Sequence, residues 1–133
     1  MLTSRQVAIL AVIAVLFWAG AAAWIRFVPA GVVDPLQGDL GFISSIPVCW
    51  LCILLAQRLA GLSREQLVGG TAVVVALATL IDGAALRWAP GLYADSDLVC
   101  RLGAAWLLWG YGLSLGIALL MQQRGGVPAA RTV

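Results

Sequence analysis

The sequence predicts an all-α integral membrane protein, with four transmembrane helices in an antiparallel up-down-up-down bundle. Two observations carry that expectation. Apolar residues make up 62% of the 133 and charged residues 11%, against roughly 45–50% and 25% in an ordinary soluble domain. Such a chain has too little polar surface to cover itself in water. In addition, residues 6–28, 41–60, 66–88 and 99–122 form four long apolar stretches, and about 20 such residues in a helix cross about 30 Å of hydrocarbon. None of the four alternates with period two. Helices are therefore expected rather than barrel strands, the only other backbone that hydrocarbon tolerates.

The first span follows Arg5 and runs apolar until Arg26, close to its end. Arg5, the apolar run and the Ala-Gly-Ala-Ala-Ala stretch around Gly20 also have the look of a cleavable signal peptide. Trp24, Ile25, Phe27 and Val28 carry the segment on to spanning length, so an uncleaved helix is expected. Residues 29–40 read as a loop, with Pro29, Gly31, Pro35 and Gly38. The second span contains Pro47, which should bend the backbone and free a carbonyl. Residues 61–65 form a tight turn in which Ser63 is placed to cap the third span. The third span holds Asp82, and residues 90–97 connect it to the fourth through Gly91, Asp95 and Asp97. Residues 123–133, with two glycines, Pro128 and two arginines, read as a flexible tail on a single domain of residues 1–122.

Arginine counting orients the bundle. One side carries Arg5, Arg58, Arg64, Arg124 and Arg131, and the other carries Arg26, Arg87 and Arg101 together with Asp34, Asp39, Asp95 and Asp97. Both termini are expected to be cytoplasmic. Composition also excludes function classes. There is no histidine, the commonest metal ligand and acid–base group near neutral pH, so neither a metal site nor a Ser-His-Asp constellation is expected. A net charge of +2 is too small and too dispersed for nucleic-acid binding. No catalytic residue and no cofactor is indicated.

Asp82 is the most informative residue, because a carboxylate within a span costs a few kcal/mol, about 3 on insertion scales, and faces a partner or a wet cavity. It lies 16 residues past Gln66, about 24 Å along the helix. Arg26 lies 20 residues past Gln6, about 30 Å along the first helix, so an Arg26–Asp82 ion pair is expected, with Arg87 and Arg101 as rival partners. The pair reads either as a salt bridge tying the first and third spans or as a ligand- or proton-binding carboxylate. Gly83 beside it leaves room for another helix.

Cys49 and Cys52 stand one turn apart on one face. Cys-x-x-Cys in a four-helix membrane protein is similar to the disulfide-generating quinone reductases of bacteria. Those need a second reactive pair in the outer loop, where this chain has only Cys100. With no basic residue near, the two thiols read first as small buried apolar residues. In the fourth span Trp106, Trp109 and Tyr111 offer an aromatic pocket or packing surface. Gly112 and Gly116 form a G-x-x-x-G for close helix approach, with a matching smooth face at Ala19, Gly20 and Ala23.

Leu80-Ile-Asp82-Gly83, followed by Gly103-Ala-Ala-Trp106-Leu-Leu-Trp109-Gly-Tyr111-Gly112, resembles a family of small bacterial four-helix membrane proteins of unknown function. Its members carry a Leu-Asp step in the third helix and a G-A-W-L-L-W-x-Y-G run in the fourth. This chain departs by one extra alanine in that run. The resemblance covers the second half; in the first half only the Trp…Arg26 ending and the helix count are similar. It implies the four-helix fold and inner-membrane location and raises Asp82, Trp106, Trp109 and Tyr111 for attention, but it implies no activity.

The leading expectation is a non-enzymatic membrane protein that associates with itself or with a larger membrane partner in the lipid bilayer. The alternatives are a small transporter or lipid-binding protein using Asp82 with Arg26 or Arg101, and a thiol-redox enzyme at Cys49 and Cys52. Small multidrug exporters are of similar size and helix number, but they depend on a carboxylate in the first helix, where this chain has none.

Overall fold

The computed structural model describes residues 1–124. Among them there are five α-helices and no strand: α1 (Ser4–Phe27), α2 (Ala30–Val33), α3 (Pro35–Ala60), α4 (Leu67–Trp88) and α5 (Asp97–Gln123). α1, α3, α5 and the stretch Arg64–Trp88, which includes α4, are long and apolar enough to cross a membrane. Most of their surface is not covered by protein. Leu16, Leu51, Leu80 and Leu108 are all more than 60% exposed, which is tolerable only where the surrounding medium is itself hydrocarbon. The expected flexible tail lies outside the described residues, apart from Gln123, which ends α5, and Arg124.

Several helix ends sit on local signals. Thr3 caps α1 by accepting the Gln6 N–H at 3.2 Å, while the Gln6 side chain accepts the Thr3 N–H at 2.9 Å. α1 ends just before Pro29, whose ring disfavours helix in the residue ahead of it. α3 ends at Gly61, whose φ of 61° puts it in the left-handed region, where glycine bears no Cβ penalty. The Leu62 N–H then reaches back to the Gln57 carbonyl at 2.9 Å. Ser63 opens the turn into α4, with its N–H held by the Gln66 side chain at 3.0 Å.

The start of the second span corrects the sequence reading. Residues 29–40 are not a loop: α2 occupies four of them and α3 begins at Pro35 rather than near residue 41. The Asp34 carboxylate accepts the Gln37 N–H at 2.9 Å, and Pro35 takes the first helical position, where its missing N–H costs nothing. Pro35 and Gly38 resembled loop punctuation but sit inside a helix start.

α1 packs mainly along α4, α4 along α5, and α5 along α3. The fourth seam, between α1 and α3, is loose along much of its length. Polar contacts tie the helix ends. Gln6 Nε2 donates to the Gly61 carbonyl at 3.1 Å and to Gln66 Oε1 at 3.2 Å, and Gln122 accepts the Val68 N–H at 3.3 Å. The buried core divides into small groups. Ala22, Ile25, Ala85, Tyr93, Val99 and Leu107 form one. Leu10, Ile13, Ala56, Ala60 and Leu62 form another, towards the N-terminal end of α1.

Close helix approach falls on glycines other than those expected. A Cβ on Gly103 would lie 3.0 Å and 3.1 Å from two side-chain atoms of the fully buried Ile25. Added to Gly20, Gly83, Gly112 or Gly116, it would meet nothing within 4 Å. Among the described residues, therefore, the G-x-x-x-G of α5 packs no helix and Gly83 admits none. Gly103→Leu is expected to cost about 1–3 kcal/mol through overpacking, and Gly83→Leu close to nothing. Thermal unfolding in detergent checks both.

Candidate functional site

Asp82 is 4% exposed on α4, and both its oxygens are occupied. The Tyr93 hydroxyl donates to Oδ1 and the Tyr111 hydroxyl to Oδ2. The Tyr93 oxygen in turn accepts the Trp18 indole N–H at 2.8 Å. One carboxylate thus joins α4 to α5 through Tyr111, to the following connection through Tyr93, and to α1 through Trp18. Two hydroxyl donors satisfy a buried carboxylate without a counter-ion, the condition under which such a group is tolerated at all.

The expected Arg26–Asp82 pair is not formed. Arg26 donates to Asp95 at 2.9 Å and to the Gly91 carbonyl at 3.1 Å, and this is the only ion pair among the described residues. Near the end of α1 the guanidinium takes the exposed carboxylate in the neighbouring connection, because reaching back towards Asp82 would desolvate it. Arg87 and Arg101 are exposed and pair with neither carboxylate.

Tyr93, in the connection of residues 90–97, was not singled out in the sequence. It is fully buried, at 0% exposure. The signal was its phenol, a large side chain whose O–H needs a partner once buried. Burial first, and then the hydrogen bond to Asp82, push its pKa well above the ordinary phenol value.

The aromatic residues of α5 also find partners. Trp106 Nε1 donates to the Gly41 carbonyl at 3.4 Å. Trp109 Nε1 donates to the Phe42 carbonyl at 3.0 Å and to Ser45 Oγ at 3.1 Å. The Trp109 ring lies 5.6 Å from that of Phe42. All three acceptors lie in the first half of α3, ahead of Pro47. Cys49, Cys52 and Cys100 are free thiols. Cys49 donates to the Gly110 carbonyl at 3.5 Å, and Cys100 lies 3.7 Å from the Pro90 and Ala94 carbonyls.

The loose α1–α3 seam encloses a cavity of about 530 Å³, within the range of roughly 300–1,000 Å³ of small-ligand pockets. Its lining is predominantly apolar and comes from all four long helices. Along α3 it extends from Gly41 to Ala56, about 22 Å at 1.5 Å per residue. Trp18, Trp24, Trp106 and Tyr111 furnish aromatic walls. Leu16, Gly20 and Trp24 on α1, with Ser44 and Val48 on α3, line it and remain exposed, so the cavity opens sideways between the two helices. It brings Cys49, Cys52, Trp106, Tyr111 and Gly20 to one place, and leaves Trp109, Gly112 and Gly116 on another face.

No protein-family model, curated protein or solved structure matches this chain. The functional reading rests on the cavity and on the carboxylate beside it.

Tyr93→Phe strips Asp82 Oδ1 and the Trp18 N–H of a partner and is expected to cost about 1–3 kcal/mol, measured by thermal unfolding in detergent. The pH dependence follows from the raised pKa of Tyr93. The unfolded phenol ionises near pH 10 while the folded one still holds its proton, so stability falls as pH rises past about 10. Tyr93→Phe flattens that alkaline loss.

Proposed function

We propose that this protein binds a chain-shaped apolar ligand drawn from the bilayer, a lipid tail, in the cavity between α1 and α3. The lateral opening carries the reading. The residues at its mouth belong to segments long and apolar enough to span a membrane, so the medium against the mouth is hydrocarbon, and an apolar void in contact with hydrocarbon fills with it. The proposed setting is a bacterial inner membrane, with the spans running up-down-up-down and both termini cytoplasmic. The arginine bias supports that orientation, and the contacts of Gln6 with Gly61 and of Gln122 with Val68 support the up-down order. Membership in the family of small four-helix bacterial membrane proteins, suggested by the Leu80–Gly83 and Gly103–Gly112 runs, belongs to the same proposal. In this reading Asp82 is a structural tie that also fixes the position of Tyr111 on the cavity wall, rather than a transport carboxylate.

Photolabelling in proteoliposomes tests it. A phospholipid with a diazirine in its acyl chain is expected to label residues of the cavity wall. Gly20→Leu, at a position with no neighbour within 4 Å of the added Cβ, should narrow the mouth of the cavity, keep the fold and lower that labelling. Labelling spread evenly over all lipid-exposed faces in both proteins would refute the proposal.

Self-association is a second reading, favoured by one observation. Gly112 and Gly116 line a groove on the outward side of α5, bounded by Leu108, Trp109 and Leu120, and small-x-x-x-small surfaces admit a second helix. Another copy of this chain is the proposed occupant. Gly112→Leu is expected to convert a cross-linked dimer in detergent to monomer without lowering thermal stability. A wild-type protein that is monomeric at all concentrations would dispose of this reading.

A further inference from the structure

The opening of the cavity is confined to one half of the bundle. The exposed residues of its lining are Leu16, Gly20 and Trp24 on α1 and Ser44 and Val48 on α3. Nearer the N-terminus of α1 the same two helices are sealed together. Leu10 is 0%, Ile13 4% and Ala56 8% exposed, and the three belong to one buried group. The cavity continues into that sealed part, where Ile53 and Ala56 line it. At the opposite end α2 packs against Trp24 and Gly41: a Cβ added to Gly31 would lie 3.4 Å from the Trp24 ring, and one added to Gly41 would lie 3.5 Å from the Gly31 carbonyl oxygen. The way in is therefore lateral, beneath α2, and leads to a closed floor.

The helix rise sets the level of each feature in the membrane. One polar boundary lies where Gln6 meets the Gly61 carbonyl and the Gln66 side chain. The hydrocarbon core is about 30 Å thick. Arg26, 20 residues past Gln6, lies about 30 Å along α1 and is paired with Asp95 at the other boundary. On this scale Leu16 and Trp24, 10 and 18 residues past Gln6, stand at about 15 Å and 27 Å. Val48 and Ser44, 13 and 17 residues before Gly61, stand at about 20 Å and 26 Å. The mouth thus runs from the midplane towards Arg26 and not beyond the midplane. Ala56, five residues before Gly61, stands at about 8 Å, so the floor lies in the opposite half of the membrane.

Resting on the reading of the cavity as a lipid-tail site, we infer that it loads from one leaflet only, the one on the Arg26 side, and holds the tail extended across the midplane down to Ala56. In the orientation proposed above this is the outer leaflet. A tail from that leaflet meets the mouth along its length, and its head leaves between Trp24 and Ser44, close to the polar boundary. A tail from the opposite leaflet runs past the sealed part of the seam and meets the mouth only with its tip. Reaching the floor takes about 22 Å of chain from the Arg26 boundary, against about 15 Å for half of the core, so the ligand class is a long-chain lipid held straight. Moving a tail from bilayer to cavity gains no hydrophobic free energy, because lipid tails are as apolar as the wall. The gain is contact: the lining of an empty floor lacks partner atoms until the chain end arrives.

The test uses two phospholipids of the same long chain in proteoliposomes, one with a diazirine near the head and one with it at the chain end, and maps each label to a residue. The near-head probe is expected to label Ser45 and Trp106 on the upper wall. The chain-end probe is expected to label Ile53 and Ala56, which are buried from the surrounding bilayer. Cys52 lines the cavity between the mouth and the floor. Cys52→Phe is expected to abolish chain-end labelling of Ala56 and to leave near-head labelling of Ser45 in place. Near-head label on Ala56 would mean entry from the other leaflet and overturns the inference. So does label on the buried Cys49 and Ala78 with none on Ile53 or Ala56, or an undiminished Ala56 label in Cys52→Phe; in each of these cases the lipid-tail reading stands. If neither probe labels any buried residue of the lining, it is that underlying reading that fails.

Discussion

A single carboxylate in a segment built to cross hydrocarbon is the constraint around which this bundle is arranged. Leaving Asp82 unpaired there would cost several kcal/mol. The chain answers with two phenols from different parts of the sequence, one on each oxygen. That solution fixes more than a charge. It seats the connection after α4 against the bundle through Tyr93, sets the register of α5 on α4 through Tyr111, and reaches α1 through Trp18. It also leaves Arg26 available to close the same end of the molecule with Asp95. Breaking a hydrogen-bonded network of this sort strands several donors at once, which is why its members act as a unit.

The remaining geometry follows from what does not hold helices together in lipid. Apolar side chains gain nothing by leaving a medium as apolar as themselves, so association depends on close packing and interhelical hydrogen bonds. Three seams have one or both. Gly103 receives Ile25, the α4–α5 seam has the tyrosine–aspartate tie, and the α3–α5 seam has the indoles of Trp106 and Trp109 on the carbonyls ahead of Pro47. Among the described residues, the α1–α3 seam has a polar tie only near its end, from Gln6 to Gly61. The cavity is the consequence: where neither kind of contact operates, the helices stand apart.

The number of spans, their approximate limits and the all-helical class were legible in the sequence, because hydrocarbon imposes length and apolarity one segment at a time and both are read without knowing what a segment touches. Helix caps are equally local, although Pro35 was read as punctuation when it was a first helical residue. That Asp82 must have a partner was legible too, from the cost of burying it. Which partner it has was not, nor that Gly103 rather than Gly112 or Gly116 receives a neighbour. Tyr93, Trp18 and Gly103 all owe their roles to residues distant in the chain. Arginine matched the charge of Asp82 on paper, but only the folded bundle decided that two uncharged phenols stood closer. The physical reason is that the medium acts on each segment alone, whereas pairing and packing depend on which faces of several helices meet.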